Sequence, residues 1–296
     1  MESKLPVSSN KTLFLNDKGA RKRFSIKKML LFTLMIILAL GQIFPLIWLI
    51  NFSFLKSGDF FGSAFLKWPE TFEWQNYIDA FTYGSVPRYF FNSLLITMIT
   101  VVVSAILSLM LAYAFTRMKW KYKTTVMNII LLGMIIPIHA TLLPNFIIFN
   151  KLNMLDNMFT LILPYIAFSL PISMFIMTGF LETIPKEVEE SAVMDGAGVF
   201  GIIFRIMLPM TKPAIATISV LNFITWWNEF IIANTFLVSD ELKTLPFSIL
   251  KFTGQYSSNY GAQFAVMTMI AVPSIIIYII FSKQMTKGIT SGAVKG

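Results

Sequence analysis

The sequence lacks cysteine and is poor in histidine and in charged residues. With no cysteine among 296 residues, disulfide bonds, thiolate metal sites and cysteine nucleophiles are excluded. A single histidine excludes a multi-histidine metal centre. The sequence also contains no phosphate-binding loop of the Gly-x-x-x-x-Gly-Lys-Ser/Thr type. We therefore expect no enzymatic activity, no metal site and no bound cofactor in this chain.

Apolar residues take the place of the missing charge. Charged residues make up 13% of the chain and hydrophobic residues 56%, and the mean hydropathy is +0.70, whereas a soluble domain carries about 25% charged residues. This composition is typical of an integral membrane protein. Crossing a hydrocarbon core about 30 Å thick takes roughly 20 helical residues. Six apolar stretches are long enough: Lys28–Phe52, Phe91–Thr116, Thr124–Phe149, Met158–Leu181, Ala214–Val238 and Gln263–Ser282.

We therefore predict an all-α integral membrane protein with six transmembrane helices. The six-helix domain covers residues 28–282 and contains a polar loop at 182–213. A basic N-terminal segment, residues 1–27, precedes it, and a short tail, residues 283–296, follows it. Of the Lys and Arg residues, 18 lie in the N-terminal segment with the adjoining Lys28, the 117–123 loop, the 182–213 loop and the tail, and six lie on the other side. By the positive-inside rule, both termini and the 182–213 loop are expected to be cytoplasmic.

The net charge of +9 is explained by this orientation, so we expect lipid and not nucleic acid as the surrounding partner. The first apolar stretch has no small-residue cleavage signature, and we interpret it as a retained span. The segment at 53–90 between the first two spans is rich in aromatic residues, including Trp68, Trp74 and Tyr77. These residues favour an anchor at the membrane interface, and a surface for an external partner is the alternative.

The 182–213 loop is patterned as two short helices and a hinge. Thr183 is suited to cap a helix that has Pro185 in its first turn. Gly196 and Gly198 would end that helix and permit a sharp bend. A second short helix would run over residues 199–208 and end at Pro209. Such a unit could seat in a cleft of another protein or lie on the lipid surface.

The acidic face of the first helix favours docking on a protein. Glu187, Glu189 and Glu190 lie in its first turns, where the helix dipole favours acids, and residues 188, 192 and 193 form a small apolar strip. Helices that lie on lipid instead favour Lys and Arg on the polar face.

Three motifs resemble one family of transport proteins. Glu190-Ser191-Ala192, followed after three residues by Gly196 and after nine more by Ile206-x-Leu208-Pro209, is similar to the Glu-Ala-Ala loop of ABC-importer permeases, with Ser191 in place of an alanine. Trp227-Asn228-Glu229-Phe230 resembles a signature in the fifth span of the carbohydrate-uptake branch. The ending at 292–296 resembles the tail of the second permease of maltose-type importers.

The resemblance implies the fold of a type I ABC-importer permease and a set of site residues. The loop would carry a coupling helix that seats in a groove of an ATP-binding subunit, and the tail would reach between two such subunits. The implied coupling residues are Glu190, Ser191, Ala192, Asp195, Gly196, Ile206, Leu208 and Pro209. The implied tail contacts are Gly292, Ala293, Val294, Lys295 and Gly296.

Candidates for the substrate path come from the residues of the predicted fifth span. Glu229 is ionisable, and placing a charged side chain in a membrane costs free energy, so Glu229 is a functional candidate by default. Aromatic rings and amide or carboxylate groups suit sugars, although an interfacial tryptophan belt with Glu229 bonded to a neighbouring helix is the alternative. The candidates are Asn222, Trp226, Trp227, Asn228 and Glu229. His139, between Pro137 and Pro144, is expected to satisfy carbonyls that the prolines free.

Together these patterns predict a permease subunit of an ATP-driven importer for a sugar, most simply an oligosaccharide, in the bacterial cell membrane. The resemblance implies a second, different permease, two ATPase subunits that hold ATP and Mg, and an extracellular solute-binding protein. Three alternatives stay open: another polar cargo such as a glycerophosphodiester, an ion-coupled secondary transporter, and a membrane anchor that carries no substrate.

Overall fold

The described part of the chain is helical throughout. In the computed structural model, residues 26–60, 67–254 and 258–293 are described, and within them every regular element is a helix, as predicted. The α-helices are α1 (Ile26–Phe52), α2 (Gln75–Tyr83), α3 (Val86–Thr116), α4 (Lys123–Leu132), α5 (Leu142–Lys151), α6 (Phe159–Leu181), α7 (Glu187–Met194), α8 (Val199–Met210), α9 (Lys212–Trp227), α10 (Ile231–Phe236) and α11 (Tyr260–Ala293). Short 3-10 turns cover Ser57–Phe60, Ile138–Thr141, Asp240–Leu242 and Leu245–Phe252.

Four of the described helices are long and apolar enough to cross a membrane. They are α1, α3, α6 and the Tyr260–Met285 part of α11, and the bent pair α8 and α9 would make a fifth if it were counted as one span. The ends of α1, α3 and α6 agree with the predicted spans to within a few residues.

The predicted third span, Thr124–Phe149, is divided into two helices and was wrong only as a continuous helix. Helix α4 ends at Leu132, and the N–H groups of Gly133, Met134 and Ile135 bond to carbonyls three residues back, which tightens the end of the helix. Pro137 then lies in extended conformation with ψ of 125°. Because Pro137 has no N–H and a fixed φ, the chain restarts as a 3-10 turn and then as α5.

The predicted fifth span, Ala214–Val238, was also wrong as a continuous helix. Helix α9 ends at Trp227, and the chain resumes as the short helix α10 after three residues. The predicted last span continues beyond Ser282, since α11 runs to Ala293.

The chain forms two compact units, one up to Ile47 and one from Trp48 onward. In the first unit, the described residues 26–43 of α1 are all exposed, although nearly all are apolar. A helix that is apolar all round suits lipid or the interior of a larger membrane assembly.

In the second unit, α3 is the central helix and packs along α6 and α9. The contact face of α3 is built from small polar residues, including Ser93, Thr97, Ser104 and Ser108, all of them buried. Small residues let helix backbones approach closely where the hydrophobic effect between helices is weak. Helix α11 packs against α9 and α2, and Trp227 fills the space between them as one of the largest fully buried side chains.

The segment between α1 and α2 is fixed by one buried amide. Asn76 in α2 is 4% exposed, and its Nδ2 donates to the carbonyls of Ser53 at 2.9 Å and Leu55 at 2.8 Å. Gly261 at the start of α11 lies directly against this amide, since a Cβ built there would lie 2.5 Å from its oxygen and nitrogen.

The loop at 239–254 is tied to the beginning of α3. Asp240 accepts from the Tyr89 hydroxyl at 2.7 Å and from Lys251 Nζ at 2.6 Å, and Asn92 Nδ2 donates to two loop carbonyls. The hydrogen bond from Lys251, followed by the one from Tyr89, lowers the pKa of the Asp240 carboxyl.

The close contact at Gly261 predicts that Gly261→Ala destabilises the protein by about 1–3 kcal/mol, the usual cost of overpacking a well-filled site. Gly58→Ala is the matched control, because a Cβ at Gly58 meets nothing within 4 Å. Thermal unfolding in detergent compares the two variants. Equal melting temperatures would contradict the contact.

The lowered pKa of Asp240 predicts a pH-dependent contribution to stability. A carboxyl with a depressed pKa in the folded state stabilises the protein above its unfolded pKa, about 3.9, and this stabilisation is lost as the pH falls through the folded value. The melting temperatures of wild type and Asp240→Asn should therefore differ by a constant amount from pH 7 to about pH 5 and converge below about pH 4. Glu241→Gln, an exposed neighbour, is the control, and a difference that does not change with pH would refute the prediction.

Candidate functional site

The loop between α6 and α9 folds as the predicted helix, hinge and helix, but its first helix lacks the predicted side-chain cap. Helix α7 begins at Glu187, two residues after Pro185. Thr183 does not cap it, because its hydroxyl donates back to the Phe180 carbonyl at 2.7 Å. A hydroxyl that bonds to the preceding turn is a common alternative to capping, and the predicted role of Thr183 was wrong.

The hinge is a glycine turn, as predicted. Gly196 has φ of +82°, in the left-handed region that glycine enters without steric cost. Its N–H bonds to the Val193 carbonyl, and the N–H of Ala197 bonds to the Ala192 carbonyl, both at 2.9 Å. These two bonds form a Schellman cap, which satisfies the last carbonyls of α7 and fixes the exit direction of the chain.

The second helix is longer and less regular than expected. Helix α8 passes through Pro209 and ends at Met210, and Ile202–Met207 is a π-helix. The wide π turn stops just before Pro209, whose missing N–H interrupts the regular hydrogen-bond pattern. After Thr211 the chain bends by 79° into α9, so the predicted end at Pro209 was too early.

The predicted coupling residues divide into exposed and buried ones. Glu190, Ser191, Asp195 and Pro209 are exposed, and Ile206 and Leu208 are half-buried. Ala192 is 7% exposed and packs in an apolar cluster that joins the loop to α3, α6 and α9. In this chain, Ala192 therefore serves internal packing.

The sequence analysis missed an apolar part of the exposed surface. Met194 is 88% exposed, and Val193 and Phe200 on either side of the hinge are also exposed. The loop thus presents acids beside large apolar side chains, a mixture that suits a protein surface better than water alone. The hydropathy pattern could not reveal this, because it does not show which face of a short helix points outward.

The sequence analysis also missed the residue that holds the loop in place. Arg117, next after the last residue of α3, donates through Nη2 to the carbonyls of Leu181 at 2.8 Å and Ile184 at 2.6 Å. Its Nε lies 2.6 Å from Oε1 of Glu189 in α7. In the sequence, Arg117 counted only as one of the basic residues that set orientation.

Three of the substrate-path candidates lie inside the helix bundle. Asn222, Trp226 and Trp227 are buried. Asn222 Nδ2 donates to the Ser173 hydroxyl at 3.1 Å, and Trp226 Nε1 donates to the Ser169 hydroxyl at 2.7 Å. These side chains fasten α9 to its neighbour α6.

Trp227 fastens the other side of α9. Its Nε1 donates to the Ile270 carbonyl of α11 at 2.9 Å, and its ring stacks on Phe223. Its position is that of a packing residue in the interior of the unit.

Glu229 lies at the break between α9 and α10 and organises it. Its carboxylate accepts the backbone N–H groups of Ile232 at 2.7 Å and Ala233 at 3.2 Å, which caps the first turn of α10. It also accepts the Tyr165 hydroxyl at 2.5 Å. Glu229 is therefore bonded to a neighbouring helix through Tyr165 of α6, which is the alternative that the sequence analysis left open.

Asn228 is the exposed member of the candidate set. Its Nδ2 donates to the Ile224 carbonyl and to the Ser274 hydroxyl, and the side chain lines a cavity of about 400 Å³. The other lining residues are uncharged: Phe230, Pro246, Ile249, Leu250, Met267, Ile270 and Ala271. An open, apolar cavity with an amide at its edge can hold a neutral polar solute or an apolar group.

The sequence analysis also assigned roles to His139 and to the C-terminal tail. His139 was expected to satisfy carbonyls that the prolines free, and it lies exposed in the 3-10 turn after Pro137. Of the predicted tail contacts, Gly292 and Ala293 lie in the last turn of α11, and Val294, Lys295 and Gly296 lie outside the described residues. Among the described residues, no group of acidic or histidine side chains is placed to hold a metal ion.

Comparison with known proteins identifies relatives over most of the chain. A permease protein of an ABC transporter from Caldicellulosiruptor sp. is 40% identical over 72% of this chain and 78% of its own length. The arabinooligosaccharides transport system permease protein AraQ of Bacillus subtilis is 30% identical over 93% of this chain and 98% of its own.

A solved structure shares the fold. A chain in the crystal structure of a bacterial ABC transporter involved in the import of the acidic polysaccharide alginate superposes with a TM-score of 0.77 at 23% identity, covering 93% of this chain and all of that one. This likeness confirms the predicted ABC-importer permease fold. Residues 104–289 also match the family model of the binding-protein-dependent transport system inner membrane component. The chain therefore belongs to that family and is an integral membrane permease subunit of an ABC transporter.

Proposed function

We propose that this chain is one of two different permease subunits of a sugar importer powered by two separate ATPase subunits. A solute-binding protein would deliver the sugar from outside, and ATP with Mg would be held by the ATPase subunits. The main support for the proposal is the loop at 182–213. The loop has an exposed surface, and buried contacts of Arg117 hold the loop against the helix bundle.

The contacts of the loop support a docking role. Glu190 and Asp195 are exposed at either end of the exposed apolar residues Val193 and Met194. The Schellman cap at Gly196 and the ion pair of Arg117 leave α7 little freedom to reorient. A rigid element of this kind can seat in a groove of the ATPase and move with it, as a flexible loop could not.

The permease would cross the membrane six times. Helices α4 and α5 with the turn between them would form the third crossing, and α9 with α10 the fifth. With both termini in the cytoplasm, the 182–213 loop would face the ATPase subunits. The lysine and arginine distribution supports this orientation.

The two broken crossings favour a path between permease subunits. A backbone break at membrane depth is tolerated where it is buried in protein or lines a watery cavity. Met134, Ile135 and Ile136 in the first break and Asn228 in the second are exposed in this chain. Asn228 would contact the cargo, and Asn222, Trp226, Trp227 and Glu229 would hold the wall behind it.

The proposed cargo is an oligosaccharide, as in the relative named for arabinooligosaccharides. The uncharged lining of the cavity beside Asn228 is better suited to a neutral sugar than to a glycerophosphodiester, whose anionic phosphate would call for a cation. ATP would bias the bundle between an inward-facing and an outward-facing packing.

Docking through α7 predicts the loss of the ATPase in two loop variants. Glu190→Arg reverses the charge of the exposed face, and Gly196→Pro forbids the positive φ of the hinge. The ATPase partner should co-purify in detergent with wild type and be lost from both variants. Glu70→Arg makes the same charge change at an exposed site distant from the loop in sequence and should keep the partner. If wild type and both loop variants all purify without an ATPase, the proposed function is wrong.

The path role of Asn228 predicts a defect in uptake without a defect in assembly. Loss of one hydrogen bond of about 1 kcal/mol should raise the KM for sugar about fivefold in Asn228→Ala. Asn234→Ala, which removes an exposed amide from α10, is the matched control. Uptake by reconstituted vesicles gives the comparison. Identical KM values in both variants would remove Asn228 from the path.

The same vesicles distinguish the alternative classes. Uptake that requires ATP inside the vesicles and survives collapse of ion gradients excludes a secondary transporter. Uptake that persists in vesicles without this chain would mean that the chain is a membrane anchor that carries no substrate.

A further inference from the structure

One guanidinium connects three helices at the end of the bundle. Arg117 continues α3, Leu181 is the last residue of α6, and Glu189 lies in the first turn of α7. Arg117 Nη2 donates to the Leu181 carbonyl at 2.8 Å, and its Nε lies 2.6 Å from Glu189 Oε1. A planar arginine fork can serve several acceptors in fixed geometry, which a lysine ammonium cannot.

The Arg117–Glu189 pair is shielded from solvent. The Arg117 side chain is 7% exposed and that of Glu189 is 13% exposed, so salt screens their attraction little. Helix α7 therefore cannot slide or rotate against α3 without separating a buried ion pair.

The acids of α7 have divided roles. Glu187 and Glu190 are exposed and available to a partner, whereas Glu189 points inward to Arg117. In one short helix, Glu190 thus faces the partner, while its neighbour Glu189 faces the helix bundle. Helix α3 in turn packs along α6 and α9, so a displacement delivered to its end reaches the helices that form the proposed path.

We propose that Arg117 and Glu189 are the positioning residues that transmit the movement of α7 to α3. The proposal rests on the proposed function, since it takes α7 as the element that the ATPase moves. The ion pair and the two carbonyl bonds of Arg117 make the loop and the end of α3 one rigid body. Without them, α7 would follow the ATPase while α3 stays behind.

The first test compares transport with ATP hydrolysis in the assembled transporter. Arg117→Gln and Glu189→Gln should keep the ATPase partner and its hydrolysis, but the sugar taken up per ATP should fall about tenfold, within the usual range of coupling between sites. Arg117→Lys keeps the charge but not the fork and should give an intermediate ratio. Arg205→Gln, at an exposed residue of the same loop outside the contacts of the pair described above, should leave the ratio unchanged.

The second test follows the geometry itself and requires no transport. Because the chain has no cysteine, spin labels can be placed at Lys119→Cys and Lys186→Cys, both exposed positions. With Arg117 present, the distance distribution between the labels should be narrow and should stay the same when the transporter binds ATP. In Arg117→Gln it should broaden or shift on ATP binding.

The outcomes separate this proposal from the proposed function. A wild-type ratio of uptake to ATP in Arg117→Gln, or a narrow distance distribution in both proteins, overturns the role of the pair and leaves the coupling loop standing. Loss of the ATPase from Arg117→Gln also overturns it, because the pair would then serve docking. If the wild-type chain binds no ATPase, both proposals are wrong.

Discussion

A backbone amide or carbonyl in hydrocarbon has no water to bond with, and under the proposed function this constraint governs the breaks after α4 and α9. At the end of α9, the Glu229 carboxylate takes over the N–H groups that begin α10. At the end of α4, bonds to carbonyls three residues back close the turn before Pro137. Each break therefore satisfies its own backbone groups through local hydrogen bonds, which is what the proposed path between subunits requires of it.

Hydrogen bonds at the helix ends also give the 182–213 loop its rigidity. The Schellman cap at Gly196 satisfies the last carbonyls of α7, and Arg117 satisfies carbonyls at and beyond the end of α6. Ala192 and its apolar neighbours then close the space between the loop and the bundle. A loop fixed in this way can present Glu190 and Met194 to a partner and still act on α3. Under the proposed function, rigidity is what converts ATPase closure into movement of the spans.

The sequence was sufficient for features that depend on local pattern. Apolar length predicted the ends of α3 at Thr116 and of α6 at Leu181, and the glycine at 196 predicted the bend. It could not supply the pairing of Arg117 with Glu189, which are far apart in the chain and charged like many of their neighbours. It also could not decide whether Glu229 faces cargo or caps a helix, because this depends on Tyr165 and on a break that hydropathy averages over.

The central claim is that α7 faces the ATPase on the cytoplasmic side, and accessibility of Met194→Cys tests it most directly. Met194 is 88% exposed, and the chain has no other cysteine to confuse the labelling. A membrane-impermeant maleimide should label this residue in inside-out vesicles and not in intact cells, and bound ATPase subunits should protect it. Labelling from the outside of intact cells, or labelling that the ATPase does not reduce, would contradict the account.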